Sequence, residues 1–165
     1  MEILVQILKY PDLALFRTCA PVQVFGEELS KLLNIMFDLM ITNNGIGLAA
    51  NQVGIIYRMF TMLGPNDEKI FLVNPVITAR SLAPANLREG CLSAPGEFLV
   101  LPERAIWVEV TFQNEKGEKR VRIFKDIYAV CIQHEMDHLL GKSHLESKSI
   151  NKAKRKELAK KWGFR

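Results

Sequence analysis

The sequence predicts an α+β protein: antiparallel β-sheets surrounding a buried central helix, plus a helix in the N-terminal half and another at the C-terminus. Three observations predict it. First, Ile127 to Leu140 is apolar on nearly every side yet carries His134, Glu135, Asp137 and His138, and a helix apolar all round is a buried one. Second, runs rich in β-branched and aromatic residues are divided by Gly, Pro and Asn turns, as strands are. Third, Gly26 to Thr42 and Ser149 to Trp162 keep helical spacing.

In chain order, Val5 to Leu8 is a short extended segment, and Pro11-Asp12-Leu13 turns into a brief helix that Ala20-Pro21-Val22 interrupts. Leu29, Leu32, Leu33, Met36, Leu39 and Met40 form the apolar face of the next helix, which Asn43-Asn44-Gly45 stops. Strands follow at Tyr57 to Leu63 and Ile70 to Val73, then a turn at Asn74-Pro75 and a loop from Ala79 to Leu87. Ala105 to Phe112 and Lys119 to Phe124 make a hairpin with one wet face. Asp126 is the expected N-cap of the central helix and Gly141 its stop. In the last helix Ile150, Ala153, Leu158 and Trp162 form a thin apolar stripe.

The chain of 165 residues fits a single domain, 1–165, with a core that needs no staples. No apolar run approaches membrane-spanning length, and Met1 to Val5 lacks the layout of a signal peptide. Cys19, Cys91 and Cys131 are an odd, dispersed set that fits reduced thiols. The expected compartment is the cytoplasm, with no membrane or DNA partner. The net charge of +4 belongs to the tail: from Lys148 to Arg165 eight basic residues face Glu157 alone, leaving the rest at −3.

His134 and His138 lie one turn apart on one helix face, a spacing that lets two imidazoles grip one metal ion, with Glu135 placed to act on a water beside it. Buried charged groups need partners, and a metal is one. A catalytic metal needs a third protein ligand and an open position. His144 is one candidate, because the run from His134 has the letters H-E-x-x-H-x-x-G-x-x-H of metzincin proteases. Against it, no Met follows Met136 to supply that family's downstream turn. Cys91 is the other, beside Gly90 and between polar residues, whereas Cys19 and Cys131 suit the buried apolar role usual for a lone cysteine.

Three stretches favour Cys91 by their joint presence: Gly45-Ile46-Gly47-Leu48-Ala49-Ala50-Asn51-Gln52-Val53-Gly54, Glu89-Gly90-Cys91-Leu92-Ser93, and Gln133-His134-Glu135-Met136-Asp137-His138-Leu139-Leu140-Gly141. In content, order and spacing they resemble the three signature motifs of the peptide deformylases, over about the whole chain. The resemblance implies that Cys91, His134 and His138 hold one divalent metal, Fe(II) natively with Zn, Ni or Co as substitutes. It implies that Glu135 moves the proton, and that the Gln52 amide and the Leu92 backbone N–H receive the charge that grows on a formyl oxygen. Gly45, Ile46, Gly47, Gly90, Val130 and Cys131 would bind an N-formylmethionyl peptide, and the products would be formate and a free methionine N-terminus. His144 then becomes a polar residue just past the helix end.

Some positions depart from the commoner pattern. Asn51 stands where Pro or Thr is frequent, Ala94 replaces Ile or Val and would widen the pocket edge, and Glu97-Phe98 lacks an Arg found in some members. The basic helix at about 149–162, with Lys152, Lys154, Arg155, Lys156, Lys160 and Lys161, is either a solvated cover or, as the resemblance to deformylases that dock through such a helix implies, a contact for ribosomal RNA. A bacterial source is expected, with a mature organellar form the other option. Two further alternatives stay open: a metzincin-like zinc protease using His144, and a non-enzymatic ribosome- or RNA-binding domain with a structural metal.

Overall fold

The structure, a computed structural model, describes residues 5–164; Met1 to Leu4, where the sequence is read for a signal peptide, and Arg165 of the basic tail lie outside them. Among the described residues there are three α-helices and seven strands, α+β as expected. The helices are α1 (Glu27–Thr42), α2 (Asp126–Leu139) and α3 (Lys152–Trp162). The strands are β1 (Gly47–Ala49), β2 (Met59–Leu63), β3 (Lys69–Arg80), β4 (Arg88–Cys91), β5 (Ala94–Val100), β6 (Trp107–Gln113) and β7 (Lys119–Lys125). The strands form a five-stranded antiparallel sheet ordered β1-β2-β3-β6-β7 and a separate antiparallel pair, β4-β5. No helix is long and apolar enough to cross a membrane.

Helix α1 buries Leu33, Met36, Phe37 and Met40 against β1 and β2, and Glu27 and Glu28 at its first turn favour the positive end of the helix dipole. The stop at 43–45 works through Asn44, which takes the left-handed conformation at φ 59°, while Gly45 N–H closes the turn on Met40 O at 2.9 Å. Along β6 buried and half-buried positions alternate, whereas in β7 Phe124 is the buried residue and the solvent side carries the apolar Val121 and Ile123 between Lys119 and Lys125, not the basic residues alone.

Four local expectations fail, each for a physical reason. The strand from 69 does not turn at Asn74-Pro75 but runs on to Arg80, taking over the start of the expected loop at 79–87. A register shift between Val73 and Val76 absorbs the proline, which has no N–H to give the ladder. The Asn74 side chain substitutes for the missing pairing, accepting from Val22 N–H and donating to Val22 O, both at 2.8 Å. Asp126 does not cap α2 with its side chain. It has φ 53°, and its own N–H is spent on Ile106 O at 2.8 Å, where the chain swings from β7 into the helix. Ala94 is wholly buried in the cluster with Tyr10, Leu101 and Leu145, so it widens no pocket edge. Ala153 is exposed, and the apolar stripe of the last helix rests on Ile150, Leu158 and Trp162.

Candidate active site

Helix α2 is fastened by an amide. Gln133 Oε1 accepts from Ala105 N–H and its Nε2 donates to Ala105 O, each at 2.9 Å, so the side chain pairs with the segment before β6 as a strand backbone would. That fixes which face of α2 looks inward. His134, Glu135 and His138 all lie on buried positions of it, each at most 5% exposed.

The β4-β5 hairpin, invisible as strands in the sequence, brings Cys91 to the same place. Its ladder slips between Glu89 and Cys91, and such a bulge re-aims the next side chain. Gly90 carries no side chain there because the Phe98 ring lies over it: a Cβ would come within 2.6 Å of Phe98 Cε1. Cys91 Sγ is 3.2 Å from His138 Nε2, which is 3.1 Å from His134 Nε2. These three ligand atoms lie within 4.8 Å of one another.

That donor set fits a metal on its own chemistry. His134 Nδ1 pairs with Glu89 Oε2 at 2.6 Å, which assigns the proton to Nδ1 and turns the Nε2 lone pair toward His138. Two imidazole lone pairs and a sulfur facing one another in a buried pocket need a shared cation or proton. Burial drives the His138 pKa well below the usual imidazole range, so its ring is neutral. Burial also works against charge on His134, but the hydrogen bonds its ring donates to Cys91 and Glu89 outweigh it and raise that group. Glu89 shows the same contest: burial alone would raise it, yet His134 and Arg104 hold it down at about 2.

Sequence reasoning missed the support behind the ligands. Arg104, itself buried, reaches Glu89 through Nε at 2.7 Å and Asp137 through NH1 at 2.7 Å. Glu89 stood in a quoted motif without a role, while Arg104 sits in an unremarkable loop and carries no local signal. Asn51 donates to His138 O at 2.5 Å, so this unusual residue ties the Gln52 segment to the ligand-bearing helix. Gln52 is held by its own oxygen, which accepts from Ala49 N–H at 2.9 Å. Its Nε2 is thereby turned toward Ser93 Oγ at 3.1 Å and Cys91 Sγ at 3.6 Å.

A cleft of about 490 Å³ opens above this cluster, and Gln52, Cys91, Leu92, His134 and Glu135 all line it. So do Gly45, Ile46, Gly47, Gly90, Val130 and Cys131, the whole set expected to meet a peptide. Glu135 is 4% exposed with Oε2 unpartnered, and burial raises its carboxyl from 4.5 to about 7, where it can both take and return a proton near neutrality. Gly47 lies against it: a Cβ there would meet Cys131 Sγ and Glu135 Oε1 at 2.5 Å. Gly47→Ala is therefore expected to push the carboxylate aside and lower kcat by about 10²-fold with little change in melting temperature. Unchanged steady-state kinetics would contradict that packing.

His144 does lie beyond the end of α2, but deep inside rather than at the surface. It is 2% exposed, its ring is 5.0 Å from that of His134, and Nε2 faces Glu97 O at 3.5 Å. Burial drops its pKa to about 3, so it stays neutral. Among the described residues the group able to hold a metal is Cys91, His134 and His138, without His144. The protease arrangement is not what this fold assembles.

Known proteins carry the same architecture. A family model described as polypeptide deformylase matches residues 4–156. A peptide deformylase of Neisseria meningitidis is 41% identical over 140 residues, 84% of this chain and 83% of that protein. A peptide deformylase-like protein of Agrobacterium fabrum is 36% identical over 156 residues, 94% of this chain and 93% of its own length. The crystal structure of a peptide deformylase from Synechococcus elongatus in complex with actinonin superposes with a TM-score of 0.88 at 32% identity, covering 99% of this chain and 88% of that one. A match that spans nearly the whole chain, over a fold that gathers the three sequence motifs around one cleft, makes this protein a member of the polypeptide deformylase family.

Proposed function

We infer that this enzyme hydrolyses the N-formyl group from the terminal methionine of nascent polypeptides, releasing formate. The observation that carries the reading is a buried carboxyl, Glu135, whose Oε2 has no partner, in the same cleft as Cys91 and His134, which with His138 form the donor set. Those three residues would hold a divalent metal, which we assign as Fe(II) with Zn, Ni or Co as substitutes. When bound, the metal supplies Lewis acidity that favours ionisation of water near neutral pH and polarises a carbonyl.

The chain's own groups do the rest. Glu135 takes the proton from the attacking water and passes it to the departing amine, a shuttle suited to a carboxyl near pH 7. Gln52 Nε2, locked in orientation by Ala49, and the Leu92 N–H donate to the formyl oxygen as it gains charge. The backbones of Ile46, Gly47 and Gly90 pair with the peptide like an added strand, and Ile46, Val130 and Cys131 receive the methionine side chain. Main chain close to the donors leaves room for a formyl hydrogen and rejects a bulkier acyl group.

The test is formate release from a formyl-Met peptide by metal-loaded protein, together with metal content of two variants. Cys91→Ala is expected to lose metal and activity while His144→Ala keeps its metal. Loss of metal from His144→Ala with retention in Cys91→Ala would reinstate the protease reading, and metal-loaded wild type that releases no formate would end this one. We further assign the chain to a single catalytic domain in the cytoplasm. Its α3 would approach ribosomal RNA with Lys152, Arg155, Lys156 and Lys160, since Lys154 and Lys161 pair with Glu157 and Glu97.

A further inference from the structure

We propose that Arg88, seated on Phe98 and assisted by Lys9, makes the cleft select formyl peptides with an acidic side chain shortly after the methionine. The proposal rests on the deformylase reading and adds a substrate class to it. Among the described residues that line the cleft, Lys9 and Arg88 are the lysine and the arginine, and both are exposed. The carboxylates lining it are Glu89 and Glu135, both buried, and Glu89 is committed to His134 and Arg104. Glu97, which precedes Phe98, turns instead to Lys161 and Trp162. No described carboxylate lies within ion-pair distance of Arg88 or Lys9, so among the described residues the rim presents positive charge without a counter-charge.

Arg88 is held rather than loose. Its guanidinium carbon stands 4.5 Å from the centroid of the Phe98 ring, and that ring packs in turn on the bare Cα of Gly90. A guanidinium stacked on a ring keeps its donor edge free for a carboxylate and loses little freedom when one binds. Lys9 Nζ is anchored on Leu92 O at 2.5 Å, beside the proposed formyl-oxygen donor. Distance places the contact along the substrate. Arg88 lies three residues before Cys91, about 10 Å along β4, and an extended peptide with its formyl end at Cys91 brings its third residue about that far.

The experiment compares metal-loaded wild type and R88Q on formyl-Met-Ala-Glu, formyl-Met-Ala-Gln and formyl-Met-Ala-Lys, all as C-terminal amides so that no terminal carboxylate competes. In wild type, kcat/KM should rank Glu over Gln over Lys, with about a fivefold span carried by KM. The span should shrink toward one in R88Q, fall partway in K9M, and contract in molar-range salt. Equal kcat/KM for the three peptides, or a preference unchanged in R88Q, overturns the proposal while leaving deformylation intact. No formate from any of the three overturns the deformylase reading and this one with it.

Discussion

Glu135→Gln is expected to lower kcat by about 10²–10⁴-fold and, at the same time, to make the metal-free protein more stable. The first effect follows from losing the proton shuttle with the shape of the side chain kept. The second follows from burial, which lifts this carboxyl from 4.5 to about 7 in the folded state. Between those values the folded protein holds a proton that the unfolded chain releases. Stability therefore declines as pH climbs from about 4.5 through 7, by up to an order of 3 kcal/mol. Glutamine has no charge to bury and removes that decline. Melting of metal-free wild type and variant should give nearly equal temperatures near pH 4.5 and a gap in favour of the variant by pH 8. A variant that melts lower at pH 8 would mean that the Glu135 carboxylate has a partner in the folded protein.

Glu89→Gln acts at one remove from the chemistry and should harm both binding and folding. Glu89 accepts from His134 Nδ1 and from two nitrogens of Arg104, with both acid and base almost fully buried. Removing one partner of such a pair costs about 3–5 kcal/mol, here toward the lower end because Asp137 still meets Arg104 at 2.7 Å. Loss of the carboxylate behind His134 should weaken metal binding about 10–100-fold. Burial works against the folded Glu89 carboxylate, but His134 and Arg104 hold its pKa at about 2, so its contribution is complete above 4.5 and disappears as pH falls toward 2. Urea unfolding at pH 7 and pH 3 should show the variant's deficit shrinking in acid, and a chelator competition should show the weaker metal. Wild-type affinity in the variant would remove Glu89 from the metal's support.

The site was legible where chemistry is written in residue types at short spacing. His134, Glu135 and His138 share a turn of helix, and Gln52 and Cys91 each stand in a compact run with glycines. That they belong together was expected from the co-occurrence of the three runs, not from any local pattern. What escaped notice depends on distant partners. In the β4-β5 hairpin β4 has four residues and is slipped at Gly90, and β5 opens on Ala94-Pro95-Gly96, so it shows no alternation to detect. The passage of β3 through Asn74-Pro75 depends on Val22, 52 residues away. His144 carries no mark of burial, because the enclosure comes from β5 and the α2 face. Arg104 is unexceptional until Glu89 and Asp137 flank it.

The amide of Gln133 bears on how such an enzyme tolerates change. A slip of one residue would swing α2 about 100° around its axis and carry all three of its working groups away from Cys91. With Oε1 and Nε2 both latched to Ala105, the cylinder has a detent that breaks twice before it can turn. Core side chains around α2 are thereby freer to drift in size, because azimuth is set by a polar key and not by the fit of grease alone.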